Sequence, residues 1–244
     1  MKDNKIRLGV NLDHVTTLRQ VRNTPYPDLI EAIKISEAAG ADGITMHLRE
    51  DRRHIQDKDV YVSREIITSS MNLEMAATSE MRNIAIDVKP DYCCIVPERR
   101  EELTTEGGLD VIAHRDRLEE LTTALKEANI QVSLFIEPNP LVIDMVCEIG
   151  APIIELHTGR YADAHSQHQQ HEFERIKIAS EHAINQGLIV NAGHGLHLGN
   201  VKPVADIPGM NELNIGHSIV SDALFVGLAQ AIRNMRHAMD GEVS

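Results

Sequence analysis

Short apolar runs alternate with longer segments of helical period along the whole chain. The runs read as strands at 7–12, 43–48, 72–76, 92–96, 131–136, 152–157, 188–191 and 212–215. Between the first two, Leu29, Ile30, Ile33, Ile35 and Ala38 suit a helix face over 28–39, and Gly40 supplies a stop. Helices are predicted likewise at 59–69, at 78–88 behind a Thr78 cap, and at 115–128. Others follow at 140–150 with Pro140 in the first turn, and at 167–185, 201–205 and 219–239. Residues 13–27 read as an arginine-bearing loop. Eight strand–helix pairs with no linker predict an α/β fold, a single (β/α)8 TIM barrel with parallel strands, as one domain over 1–244. A doubly wound open sheet is the alternative, but no G-x-G-x-x-G follows the first strand.

The length of 244 residues suits a barrel, which typically takes about 250. Aromatics are only 3% and Trp is absent, so aliphatic side chains and Met must fill the core. The net charge of −13 argues against nucleic acid or an anionic membrane as partner, but leaves small anions open, since backbone N–H groups and a few local cations suffice for them. No apolar run is long enough to span a membrane, and the first seven residues lack a signal-peptide core. Three cysteines, Cys93 and Cys94 adjacent on opposite strand faces, make no disulfide framework, so a cytoplasmic location is expected.

In such a barrel the chemistry gathers at the C-terminal ends of the strands. Those ends carry Asn11, Asp13, His14, His47, Arg49, Glu74, Glu98, Glu137, Glu155, His157, Asn191, His194, Asn214 and His217. Burying so many polar groups for packing alone is costly. Taken singly, each has a plain reading. Glu74 is either a carboxylate paired with an arginine or a general base in an apolar wall. His47 and His194 are either core histidines or proton-transfer groups. The glycines around His194 and His217 either make tight turns or admit a phosphate to backbone N–H groups. Arg49, Arg52, Arg53 and His54, and likewise Arg19 and Arg22, are either anion ligands or solvated charges. His165, His168 and His171 recur every third residue, but their polar setting reads as a solvated helix start. No lysine falls at a predicted strand end, which disfavours a protein Schiff base. The loop 98–108 is long and polar and is expected to act as a lid. Three functions fit: an acid–base enzyme, a metal-dependent hydrolase or aldolase using His47, His157, His194 and His217, and a non-catalytic sugar-phosphate binder.

Several stretches go further. Gly9–His14, Gly43–Ile55, Asn72–Ala76, Thr104–Asp110, Asn191–Leu196 and Glu212–His217 closely resemble the pyridoxine 5′-phosphate synthase family, in order and over nearly the whole chain. The resemblance implies condensation of 1-deoxy-D-xylulose 5-phosphate with 3-amino-2-oxopropyl phosphate to pyridoxine 5′-phosphate, phosphate and water. It implies no metal or organic cofactor, two phosphorylated substrates as partners, and a homo-oligomer. It further implies His47 and Glu74 as proton acceptors, His194 as proton donor and Glu155 as a charge-stabilising auxiliary. Asn11, Arg22, Gly195, Gly216 and His217 would contact the aminoketone phosphate. Asp13, His14, Arg49, His54 and Thr104 would contact the deoxyxylulose phosphate.

Overall fold

The computed structural model describes residues 5–104 and 107–241. The chain begins with β1 (Arg7–Asn11), α1 (Asp13–Arg22), α2 (Leu29–Ala38) and β2 (Gly43–His47). It continues through α3 (Asp57–Ile66), β3 (Ser70–Met75), α4 (Ser79–Val88), β4 (Tyr92–Ile95) and a 3-10 turn at Arg100–Glu102. Next come α5 (Arg115–Glu127), β5 (Gln131–Ile136), α6 (Pro140–Ile149) and β6 (Ile153–His157). Then follow α7 (Gly159–Asp163), α8 (Ser166–Asn185), β7 (Ile189–Gly193), α9 (Val201–Ala205), β8 (Met210–Ile215), α10 (His217–Val226) and α11 (Leu228–Asp240).

All eight strands pair in parallel, each with its sequence neighbour, and β1 closes on β8. This is the (β/α)8 barrel that the alternating pattern predicts. Alternate strand residues, such as Leu8, Val10, Ile44, Met46, Leu73, Met75, Leu134, Ile154 and Leu213, are buried in one aliphatic layer with the inner faces of the helices. The barrel interior is polar instead. Asn214 Nδ2 donates to Glu155 Oε2 at 2.7 Å, Thr45 Oγ1 donates to Asn214 Oδ1 at 3.0 Å, and Asn72 Nδ2 donates to Thr45 Oγ1 at 3.3 Å. The first two of these bonds join strands that are not neighbours, so they cross the inside of the barrel. Gly9 is what leaves room for them, since a Cβ there would lie 2.0 Å from Asn214 Oδ1.

Two expectations need correction. Residues 13–22 form a helix, not a loop. Val15, Leu18 and Val21 recur at helical spacing, but Leu18 and Val21 stay exposed, so the apolar stripe is too thin to stand out. The last helix is two: Gly227, at φ 82°, breaks it between α10 and α11, and its backbone N–H ends α10 on the Ala223 carbonyl. Smaller differences fall at strand ends, where β3 starts at Ser70 and β7 runs on to Gly193. The histidine run behaves as read: His165 caps α8 and its neighbours are exposed.

Candidate active site

The strand ends open into one cavity of about 770 Å³. Its walls include Asn11, Asp13, His14, His47, Arg49 and Glu74 from the first three strand ends, and Glu155, His157, His194, Gly195, Gly216 and His217 from the last three. Most of the polar strand ends therefore share one cavity, and Glu98, Glu137 and Asn191 do not line it.

Glu74 lies at its floor with 15% of its side-chain surface open. Asn11 Nδ2 donates to it at 3.4 Å and His47 Nδ1 stands 3.9 Å away. No arginine pairs with it among the described residues. Burial, with the nearby carboxylates of Glu155 and Asp13, raises its pKa well above the ordinary value. Glu155 is more deeply buried, and burial pushes it up to about 7 against the hydrogen bond from Asn214. The site thus holds two carboxyls whose proton affinity is raised above the ordinary value, which suits proton transfer.

His47 is fixed at two points. Its backbone N–H donates to Asp13 Oδ1 at 2.8 Å, and its Nε2 lies 2.9 Å from Glu98 Oε1. Burial alone would raise the Glu98 pKa, but bonds from His47 and from the Glu50 amide hold it below the usual range. With Nε2 held by a carboxylate, Nδ1 is left facing Glu74. Asp13 also accepts from Asn11 Nδ2 at 2.9 Å. Asp13, His47 and Glu74 have ligand atoms within 4.8 Å of one another, with Asp13 bonded to the His47 amide and Asn11, and Glu74 to Asn11. The four histidines of the metal-dependent alternative do not gather into a ligand set among the described residues.

The arginines separate. Arg49 lines the cavity, and its Nε is buried with no hydrogen-bond partner. Arg52 is paired with Asp57 and Glu80, Arg53 with Asp51, and Arg19 makes a two-pronged pair with Asp59. Arg22 is exposed at the end of α1, in a separate groove with Leu18, Thr24, Tyr26 and Pro27. It is eight residues from His14, a helical rise of roughly 12 Å. His54 sits behind Asp13 and His47, its ring centroid 6.0 Å from that of His47. It accepts the Ile55 N–H on Nδ1 at 2.9 Å, and burial lowers its proton affinity. Thr104 belongs to the loop arm, where its hydroxyl accepts from Gly107 N at 3.2 Å. Leu103 and Gly107 of the same arms line the cavity. Thr105 and Glu106, in the middle of the expected lid, lie outside the described residues.

The opposite wall is rich in backbone donors. Gly216 caps α10 and His217 begins it, so a helix N-terminus opens into the cavity beside Gly195. The lack of a side chain matters twice: a Cβ on Gly216 would meet Asn11 at 2.9 Å, and one on Gly195 would meet Ala162 at 2.6 Å. His14 and His217 face each other with centroids 4.8 Å apart, and burial together with His217 lowers the pKa of His14. His194 has a positive φ of 79°. It is open to the cavity, yet the surrounding walls hinder its hydration, and that desolvation, with His157 beside it, lowers its proton affinity.

The model of the family described as pyridoxal phosphate biosynthesis protein PdxJ matches residues 8–241. The chain belongs to that family. Among its PdxJ relatives, the pyridoxine 5′-phosphate synthase of Thioalkalivibrio sulfidiphilus is 59% identical over 236 residues, which is 96% of each chain. The Synechococcus enzyme of the same name is 58% identical over 235 residues, 96% of this chain and 98% of its own. A phosphoribosyl anthranilate isomerase from Thermus thermophilus superposes with a TM-score of 0.61 at 13% identity, over 97% of this chain and 99% of its own. That likeness shows the barrel alone.

The alternating pattern and the resemblance pointed to most of the polar residues that line this cavity. What they missed are the partners: Glu98 and Glu137 were visible as strand-end carboxylates, but nothing local marks that they hold His47 and His157.

Proposed function

We propose that the protein is a pyridoxine 5′-phosphate synthase, joining 1-deoxy-D-xylulose 5-phosphate and 3-amino-2-oxopropyl phosphate with loss of phosphate and water. The observation that carries this furthest is the pair of elevated carboxyls, Glu74 and Glu155, between two walls suited to anions. Ring closure needs repeated proton transfers, and a group that changes protonation near neutrality gives and takes protons in turn. The amine that condenses with the ketone is on the substrate, in keeping with a cavity that no lysine lines among the described residues.

Glu74 and His47 take protons from the condensing carbons, His194 returns one to a leaving oxygen, and Glu155 steadies the charge. The α10 N-terminus with Gly195, Gly216, His217 and Asn11 takes the aminoketone phosphate. Arg49, whose buried Nε makes no hydrogen bond and stands 3.5 Å from Asp51 Oδ1, takes the other phosphate with His14, Asp13, His54 and Thr104.

The protein works as a homo-oligomer, and Arg22 acts on the cavity of a neighbouring copy. Arg22 is exposed beside Leu18, Val21 and Tyr26, and α1 packs against α10, whose end exposes Leu224, Phe225 and Val226. Side chains this apolar at a surface mark a contact. No helix among the described residues is long and apolar enough to cross a membrane. The buried Cys93 and Cys94 thiols, unpaired and pushed up by burial, support a reducing compartment, the cytoplasm.

The test is to mix both phosphates with the protein and follow the pyridine chromophore and released phosphate. Wild type should form both and Glu74→Gln should lose roughly a hundredfold or more in kcat. No product from wild type, or full turnover by Glu74→Gln, would leave a sugar-phosphate binder.

A further inference from the structure

His157 and Glu137 form a buried pair that the reading above does not use. Glu137 Oε1 lies 2.8 Å from His157 Nδ1, and the same oxygen accepts the Gly108 N–H at 2.8 Å. A carboxylate in that place accepts from Nδ1–H and fixes the imidazole, leaving its Nε2 edge turned away from Glu137. The free edge faces His194: the two rings meet edge to face, centroids 4.9 Å apart. The next two residues hold the same target. Thr158 Oγ1 lies 2.7 Å from the carbonyl oxygens of both Gly193 and His194, and its N–H donates to Gly193 at 2.9 Å. Gly159 lets the rings approach, since a Cβ there would stand 2.6 Å from His157 Nε2 and 3.1 Å from His194 Cδ2. His194 keeps its left-handed backbone inside this frame.

We propose that His157, clamped by Glu137, is a positioning residue for His194: it holds the His194 ring edge to face at the cavity wall, in the orientation from which that ring gives up its proton. The role rests on His194 acting as the acid of the synthase reaction. The groups that face His194 are His157 from β6, Asp163 from α7 and Glu137 from the end of β5. Of these only His157 opposes its protonation. Gly108 joins the return arm of the 98–108 loop to the same carboxylate, so the pair also registers where that arm sits.

The experiment compares wild type, His157→Asn and Glu137→Gln. Asparagine keeps an N–H for Glu137 but removes the ring, and Gln keeps the shape of Glu137 but removes the negative charge that clamps Nδ1–H. Histidine-labelled protein without ligands is titrated by NMR, with His194→Asn used to assign the His194 signal. We expect the His194 midpoint to rise in His157→Asn by half a pH unit or more. We expect kcat to fall at least tenfold in both variants while the KM for each substrate stays within threefold. An unmoved His194 midpoint overturns the proposal, as does wild-type kcat in both variants. A change confined to KM overturns it too and makes His157 a substrate contact. The titration needs no turnover, so if wild type fails to make product the synthase reading falls while the titration still decides the pairing.

Discussion

A proton on Glu155 is favoured by folding itself. The carboxyl sits inside the barrel, and burial moves it from an ordinary 4.5 to about 7. The folded protein therefore holds that proton over a range where the unfolded chain has lost it. Stability is then greatest near pH 4.5 as far as this group is concerned, and falls as pH rises to 7. The shift corresponds to roughly 3 kcal/mol as an upper bound, because Glu155 shares the interior with other acids. Glu155→Gln keeps the oxygen that accepts from Asn214 and should remove this fall, so that urea midpoints of the ligand-free variant at pH 5 and pH 8 draw together. A wild-type midpoint that does not drop over that interval more than the variant's would place the carboxylate in a far more polar setting. Across the cavity, two histidines divide their roles by position. His194 follows β7 with its ring against His157, whereas His217 begins α10 beside Gly216. His194→Ala should lower kcat by about a hundredfold or more. His217→Ala should instead raise the KM for the aminoketone phosphate roughly tenfold, the worth of a hydrogen bond to a charged group. Steady-state kinetics with each substrate varied in turn separates the two, and the reverse pattern would exchange them.

The strands carry two patterns at once, apolar outward and polar inward, and β1 shows why the inward one is demanding. Gly9 faces the crossing network, and Asn214, Glu155 and Thr45 meet where a side chain would otherwise stand. Gly9→Ala should force Asn214 to release a partner and cost about 1–3 kcal/mol of stability, read as a lowered denaturation midpoint. An unchanged midpoint would mean the interior has slack there. At this scale the sequence was readable wherever an element buries a full apolar face: α2, α4, α5 and α6, and all eight strands, announce themselves by spacing. The α1 helix did not, because its outward Leu18 and Val21 stay exposed within one copy. Nor did the α10–α11 break, where a single Gly227 interrupts an otherwise continuous helical pattern. The strand-end acids and histidines were legible one by one. Their pairings were not, because Glu98 reaches His47 across 51 positions of chain and Glu137 reaches His157 across 20, separations that only the side-by-side pairing of the strands brings together.

One copy of the chain leaves Phe225 89% and Leu224 69% exposed beside α1 and its exposed Arg22. A surface with a net charge of −13 otherwise keeps copies apart. Association that buries these side chains would complete the anion wall with an arginine that a single cavity lacks. Phe225→Asp should shift the mass seen by light scattering toward the monomer and lower activity with it. If inactive His47→Ala and Arg22→Ala proteins regain turnover when their subunits are mixed, the arginine acts across copies. A monomeric wild type with full activity would place the whole site in one chain.

The left-handed backbone at His194 sets fitness against robustness. Histidine is a poor tenant for φ 79°, where glycine or asparagine is far more at ease. Selection for stability alone would have replaced it. His194→Asn should therefore melt later than wild type, with about 0.5–1 kcal/mol more stability, while making no product. A drift library screened only for thermal tolerance would be expected to discard the acid first, so its loss would report relaxed demand for the vitamin before any damage to the barrel.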